Sequence, residues 1–161
     1  MANPNYIPEP KEFSETVVQL NRVSKKTKGG NHMRMAALVV IGDGKGRVGA
    51  GLSKALDVRS AVNKAITLAK RNLITVPMRG TTIPYSIYFK YGASKILLKP
   101  APPGSGIIAG GAVRIVLSAA GIHDVSAKML GTKNKITNVY ATLKALQELS
   151  EIAYMKGRKK E

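Results

Sequence analysis

Residues 39–55 read VVIGDGKGRVGAGLSKA, and Gly44, Gly46 and Gly49 within them spell GxGxxG directly after an apolar run. A dinucleotide fingerprint requires a helix to begin among these glycines, so that its N-terminal amides hold the pyrophosphate. Here Val48, Ala50 and Leu52 instead alternate with Arg47, Gly49 and Gly51, which is the period of a strand. A helix through Gly44, Gly46, Gly49 and Gly51 would lose about 1 kcal/mol per glycine relative to alanine. The ribose-binding acid expected about 20 residues on is missing, because the acids after Asp43 are Asp57 and then Asp124. Gly46 and Gly51 have Walker spacing, yet Leu52 and Ser53 stand where Lys and Ser or Thr are required. The stretch therefore predicts a β-hairpin: strand 33–41, turn 43–46, return strand 47–53. Its glycines serve a tight turn and places where another backbone or a helix packs closely.

Working outward, residues 16–24 (TVVQLNRVS) have the β-branched content of a strand, and KKTKGGNH after them reads as a basic, glycine-containing loop. Residues 1–10, with three prolines, read as part of an extended leader spanning 1–15. Asp57 is a plausible N-cap for a helix with apolar positions at Val58, Ala61, Val62, Ala65, Ile66, Ala69 and Leu73. Three strands and one helix thus make a first unit, 16–76, and VPMRGTT at 76–82 reads as the junction. A second unit, 81–153, follows. Strands are expected at 83–91 and 95–99 around the turn at 92–94, then a stiff loop PAPPGSG, and a helix 112–120 stopped by Gly121. A strand within 122–130 comes next, and Asn134 caps a last helix whose Val139, Leu143, Leu146, Leu149 and Ala153 face the core. A basic tail, 154–161, completes an α+β chain of β-β-β-α and then β-β-α-β-α order.

The chain has 161 residues, 44% of them apolar, enough for a real core. Its 26 Lys and Arg against 9 Asp and Glu give a net charge of +17, far beyond what solubility needs. A large polyanion is the simplest neutraliser. No acid lies between Glu15 and Asp43 or between Asp57 and Asp124, while basic residues continue through both gaps. The absence of cysteine excludes disulfides, Cys-based zinc sites and thiol nucleophiles, and fits a reducing, cytoplasmic setting. The apolar run ending at Ile41 is far too short to span a bilayer, and the start MANPNYIPEP has no signal core. An anionic membrane surface is disfavoured for want of a basic amphipathic helix with large apolar anchors.

Arg22, Lys25, Lys26 and Lys28, with Gly29 and Gly30, lie in an acid-free stretch at 21–31. Such a loop can track phosphates, its glycine amides approaching the backbone and its cations displacing counterions. Spacing alone leaves this even with a merely solvated loop. Arg47, Lys54, Arg59, Lys64, Lys70 and Arg71 form a second basic set on the return strand and helix. Tyr85, Tyr88, Phe89 and Tyr91 crowd one strand, but at period two Tyr85, Phe89 and Tyr91 share a face, which favours core or interface packing over base stacking. PPGSGIIAGGAVR at 102–114 is a proline-stiffened, glycine-rich loop that leads into a helix whose N-terminus could face an anion, or else a structural turn. His32 and His123 have no second ligand or serine partner at a motif spacing, so no metal site and no catalytic triad is expected.

Four stretches, in order, carry a resemblance: NRVSKKTKGG at 21–30, ALVVIGDGKGRVGAGLSKA at 37–55, IPYSIYFKYGASKILLKPAPPGSGIIAGGAVR at 83–114 and AAGIHDVSAKMLGTKNKITNVYATLKAL at 119–146. Together they resemble the bacterial small-subunit ribosomal protein S-five family over nearly the whole chain. The resemblance implies a first domain like a double-stranded-RNA-binding fold, which contacts RNA by shape, phosphates and 2′-OH groups. It implies a second domain of the family's own type. It also implies a structural, non-enzymatic place in the small subunit, on ribosomal RNA, beside proteins S-four and S-eight and near messenger RNA where it enters. The resemblance further implies that the 21–31 loop reaches RNA near the head and neck, close to where spectinomycin acts, and that the 102–114 region lies near S-four and bears on accuracy, which makes Gly104, Gly106 and Arg114 protein-interface or RNA candidates. Met35, Asn31 and Lys135 depart from the family's usual aromatic, basic and proline residues.

Two rivals remain. PPGSGIIAGGA at 102–112 also resembles the phosphate loop of homoserine- and galactose-type kinases, but no acid between Val58 and His123 is there to hold magnesium. A free-standing RNA chaperone is opposed only by the ordered family blocks. The expected protein is a ribosomal RNA-binding structural component with no cofactor, located on the ribosome.

Overall fold

The computed structural model describes residues 12–158. Most of the leader expected at 1–15 and the last residues of the tail lie outside the described residues. The elements run β1 (Ser14–Thr27), β2 (Gly30–Gly42), β3 (Arg47–Ala55), α1 (Val58–Arg71) and β4 (Ile74–Thr75). They continue with β5 (Ile87–Tyr91), β6 (Ser94–Pro100), β7 (Ile107–Ile108), α2 (Gly111–Ala120), β8 (Val125–Gly131) and α3 (Lys135–Arg158). One antiparallel sheet has the order β1-β2-β3-β4; the other has the order β5-β6-β8-β7, with β7 parallel to β8. The architecture is α+β, as expected. β4 and β7, at two residues each, are too short to show a period and left no mark on the sequence pattern.

The glycine-rich stretch is a hairpin, and helix packing explains its composition. α1 lies across β2 and β3 on a ridge of alanines, Ala61, Ala65 and Ala69, which are its buried residues. Below them, a Cβ added at Gly51 would overlap the Ala65 carbonyl, and one at Gly49 would crowd the Ala69 carbonyl. Small residues on both sides let helix and sheet approach backbone to backbone, and Ser53 Oγ donates to the Ala61 carbonyl at 2.6 Å. Asp57 caps α1 as expected, its carboxylate accepting from the Ser60 amide at 2.9 Å. That bond holds the Asp57 carboxyl below its ordinary value. Val62, Ile66 and Leu73 pack partly buried beside the alanines, as expected, but Val58 and Leu56 are exposed.

The run Ala36–Ile41 is apolar throughout because both faces of β2 are covered. Ala37, Val39 and Ile41 meet α1, while Leu38 and Val40 join Val48 and Ala50 in the larger core with α2, α3 and the second sheet. The layers are therefore α1, first sheet, α2 with α3, second sheet. α3 lies between the sheets and buries a broad face, on which Ala141, Thr142 and Ala145 join Val139, Leu143, Leu146 and Leu149, while Lys144, Gln147 and Glu151 stay exposed. Its buried polar groups are satisfied. Asn138 accepts from the Ser94 hydroxyl and donates to the Thr132 carbonyl, and the Thr142 hydroxyl donates to the Asn138 carbonyl at 2.7 Å.

The turn joining β2 to β3 docks on the C-terminal end of α2. Gly44 N donates to Ala119 O at 3.1 Å and Gly46 N to Ala120 O at 2.9 Å. Gly121, at φ 83, admits the left-handed turn that ends α2, and a Cβ there would overlap the Gly44 carbonyl.

Three boundaries differ from the sequence reading by more than two residues. The loop expected at 25–32 is strand, because β1 and β2 continue to a two-residue turn at Lys28 and Gly29. The strand expected from Ile83 begins only at Ile87, since Pro84 lacks an amide to donate and the preceding segment turns at the Arg79–Thr82 bridge. The last helix continues past Ala153 to Arg158.

Candidate nucleic-acid interface

β3 pairs with β2 only as far as Met35 opposite Ala55. Beyond that, residues 23–27 and 30–34 pair with each other alone, so the hairpin projects from the sheet as a two-stranded ribbon about 17 Å long by the strand rise. The Thr27 hydroxyl donates to the Gly30 carbonyl at 2.9 Å and closes the tip. No acidic residue lies on the ribbon. A two-stranded hairpin is marginally stable alone in water, and this one is anchored only where it enters the sheet.

Cross-strand partners share a face, so the register sorts the expected cations. Lys25 lies opposite His32 and Val23 opposite Arg34 on one face, where they join Lys54 around an open groove of about 450 Å³. Arg22 and Lys26 lie on the other face, with Arg22 donating to the Met33 sulfur. Lys28 and Gly29 form the tip. The structure thus divides Arg22, Lys25, Lys26 and Lys28 between two faces and brings Lys54 to one of them. His32 and Arg34 were missed as partners of Lys25. The signal was available: read as a hairpin turning at Lys28 and Gly29, period two pairs Lys25 with His32 directly.

The remaining expected residues lie elsewhere. Arg47, at the far end of β3 from Lys54, donates from Nε to Asp43 Oδ2 at 2.7 Å and from a terminal nitrogen to Glu12 Oε1 at 3.0 Å, and stands over the Phe13 ring. Desolvation opposes ionisation of Asp43, but bonds from the Arg47 guanidinium and the Lys45 and Arg47 amides outweigh it and hold the carboxyl below its ordinary value. Arg59, Lys64, Lys70 and Arg71 are exposed on α1, away from the sheet.

In the second unit, Gly104 and Gly106 carry φ of 89 and 70 in the loop before β7. The buried Asp124 carboxylate gathers that loop, accepting from the Gly106 amide at 3.0 Å. The Thr81 hydroxyl and then the Gly106 amide hold this carboxyl below its usual range. Arg114 donates to the Ile107 carbonyl at 2.9 Å, tying α2 to β7. Of the aromatic strand, Tyr85 and Phe89 pack on the core, Tyr91 is partly exposed below the Lys144 ammonium at 5.5 Å from its ring centroid, and Tyr88 is on the opposite face. Among the described residues no three His, Cys, Asp or Glu side chains cluster to hold a metal ion, and no helix is long and apolar enough to cross a membrane.

A cationic ribbon projecting from a chain of charge +17 defines a polyanion-binding protein. The sequence matches two family models, ribosomal protein S5, N-terminal domain, over residues 13–77, and ribosomal protein S5, C-terminal domain, over residues 89–159. The chain belongs to the ribosomal protein S5 family. It is accordingly a structural protein of the small ribosomal subunit that binds ribosomal RNA.

Proposed function

We propose that the β1–β2 ribbon is the principal contact of this chain with small-subunit ribosomal RNA. Arg22 and Lys26 on one face, Lys25, Lys54, His32 and Arg34 on the other, and Lys28, Gly29 and Gly30 at the tip engage phosphates. The observation that carries this is the ribbon itself: a projection with cations on both faces, no acid, and pairing only within itself. Counterion release from such a projection drives association without reading sequence. In this reading residues 16–76 act as the double-stranded-RNA-binding-like domain, with Arg59 on α1 as a peripheral phosphate contact. Arg47 stabilises the turn and contributes to RNA only through its remaining exposed surface. Residues 81–153 form the second domain, and its 102–114 segment, with Gly104, Gly106 and Arg114, faces protein S4. The protein supports subunit assembly beside S4 and S8 and contributes to translational accuracy and to the path by which messenger RNA enters.

Ultraviolet crosslinking in cells, with sequencing of the attached RNA and mapping of the crosslinked peptides, tests this. Crosslinks to a few small-subunit ribosomal RNA segments through residues 21–34 are expected. Crosslinks scattered over many messengers, or confined to peptides outside the ribbon, would overturn it.

A further inference from the structure

Among the described residues, the second sheet is covered on one face only. Ile87, Ile96, Leu98 and Val125 point into the core against α2 and α3. The register arranges the opposite face in rows: Tyr88, Leu97 and Lys128; Lys90, Lys95 and Leu130; Lys99, Ser126 and Ile108. Tyr88 is 55% exposed, and all four lysines are exposed. No acid occurs between Asp57 and Asp124, and the buried Asp124 is occupied by the Gly106 amide, so among the described residues no carboxylate stands on this face. Lys90 lies directly opposite Lys95, a like-charge cross-strand pair that weakens an isolated sheet. An open, acid-free face that keeps such a pair is complementary to a polyanion, and an exposed aromatic ring among its lysines supplies a stacking surface for a base.

We propose that this face is a second RNA contact, built for a single-stranded segment. One unstacked base lies on Tyr88, and the flanking phosphates are held by Lys90, Lys95, Lys99 and Lys128. The ribbon takes phosphates alone; this face takes a phosphate strand and a base. The inference rests on the RNA-binding reading above but concerns a separate surface.

The test uses the full chain with Arg22, Lys25, Lys26 and Lys28 replaced by alanine, so that the ribbon does not mask a second contact. The probe is a short labelled oligouridylate, its affinity followed across a salt series. In that background, Tyr88→Ala is expected to weaken binding about 5-fold or more without changing the salt slope, while Tyr88→Phe retains affinity. Replacing Lys90, Lys95, Lys99 and Lys128 by glutamine is expected to lower the slope by about 0.7 per phosphate released. Because these side chains are exposed, unchanged melting curves are expected to show that each variant folds. Unaltered affinity in Tyr88→Ala together with an unaltered slope in the lysine variant would overturn the proposal. So would the same face substitutions made in the chain with its ribbon unaltered, if they bind the oligonucleotide normally yet fail to enter small subunits in cells, which would make the face a protein contact. Failure of the unaltered chain to bind any RNA would instead count against the function itself.

Discussion

β2 ends in a glycine-containing turn at each end, and the two turns have opposite fates. At one end Lys28, Gly29 and Gly30 stand in solvent, and a Cβ added at Gly29 or Gly30 would meet nothing within 4 Å. At the other end Gly44 and Gly46 are bonded to the last carbonyls of α2, and Gly42 and Gly121 leave no room for a side chain. One glycine turn frees the chain to project; the other lets two backbones meet. Burial, not composition, separates them. The projecting end carries charge without acids, and binding is the contribution proposed for it. The docked end carries backbone contacts between layers, so its contribution is stability.

The largest effect that would break this comparison lies at the docked end. Gly42→Val forces a side chain into the Ala119 carbonyl and Gly121→Val into the Gly44 carbonyl, and each is expected to cost about 3 kcal/mol or more. Denaturant midpoints measure it, and a near-native midpoint for either variant would show that the layers can separate freely. At the projecting end, alanine at Arg22, Lys25, Lys26 and Lys28 together should lower the salt slope of RNA affinity by about 3, if each cation neutralises one phosphate, with an unchanged melting curve. A slope that does not move would place the RNA contact off the ribbon.

A smaller effect concerns the loop before β7. The Asp124 carboxyl is held below its ordinary value in the folded chain, so its stabilisation is present above about pH 4, the ordinary carboxylate range, and is lost as pH falls through the depressed folded value. Asp124→Asn should therefore lower the neutral-pH midpoint and flatten the acid limb of a stability profile; an unchanged limb would mean that the loop is held by its glycines and prolines alone. Arg47→Ala should lower the melting temperature while leaving the salt slope nearly unmoved, because its guanidinium is engaged by Asp43 and Glu12. The smallest change is expected from Gly29→Ala, within about 0.5 kcal/mol in stability.

Much of this is legible in the sequence. Period-two alternation after Asp43 ruled out a nucleotide loop, and Asp57 marked the start of α1 because a side-chain cap is local chemistry. Gly121 marked the end of α2 for the same kind of reason. The ribbon was harder to see. KKTKGGNH has polar residues on both faces, so it lacks the apolar alternation that signals a half-buried strand, and it read as loop. Its strand character comes from pairing across the turn, which propensity does not report. The aromatic strand was half legible: period two put Tyr85, Phe89 and Tyr91 on one packed face, where Tyr85 and Phe89 do pack on the core and Tyr91 is exposed, but it did not show that the far side of the sheet stays open around Tyr88.

The sequence by itself determined the charge and the absence of acids over two long gaps, the main helices and their caps, and the hairpin of the glycine stretch, because each depends on residue type or short-range spacing. Only the tertiary structure decided which glycines face helix backbone and which face water, which faces of the ribbon hold which cations, and that Arg47 is bound while Lys54 joins Lys25 and His32. Those outcomes depend on register and on which layer lands above each strand, and both are fixed by contacts between residues far apart in the chain.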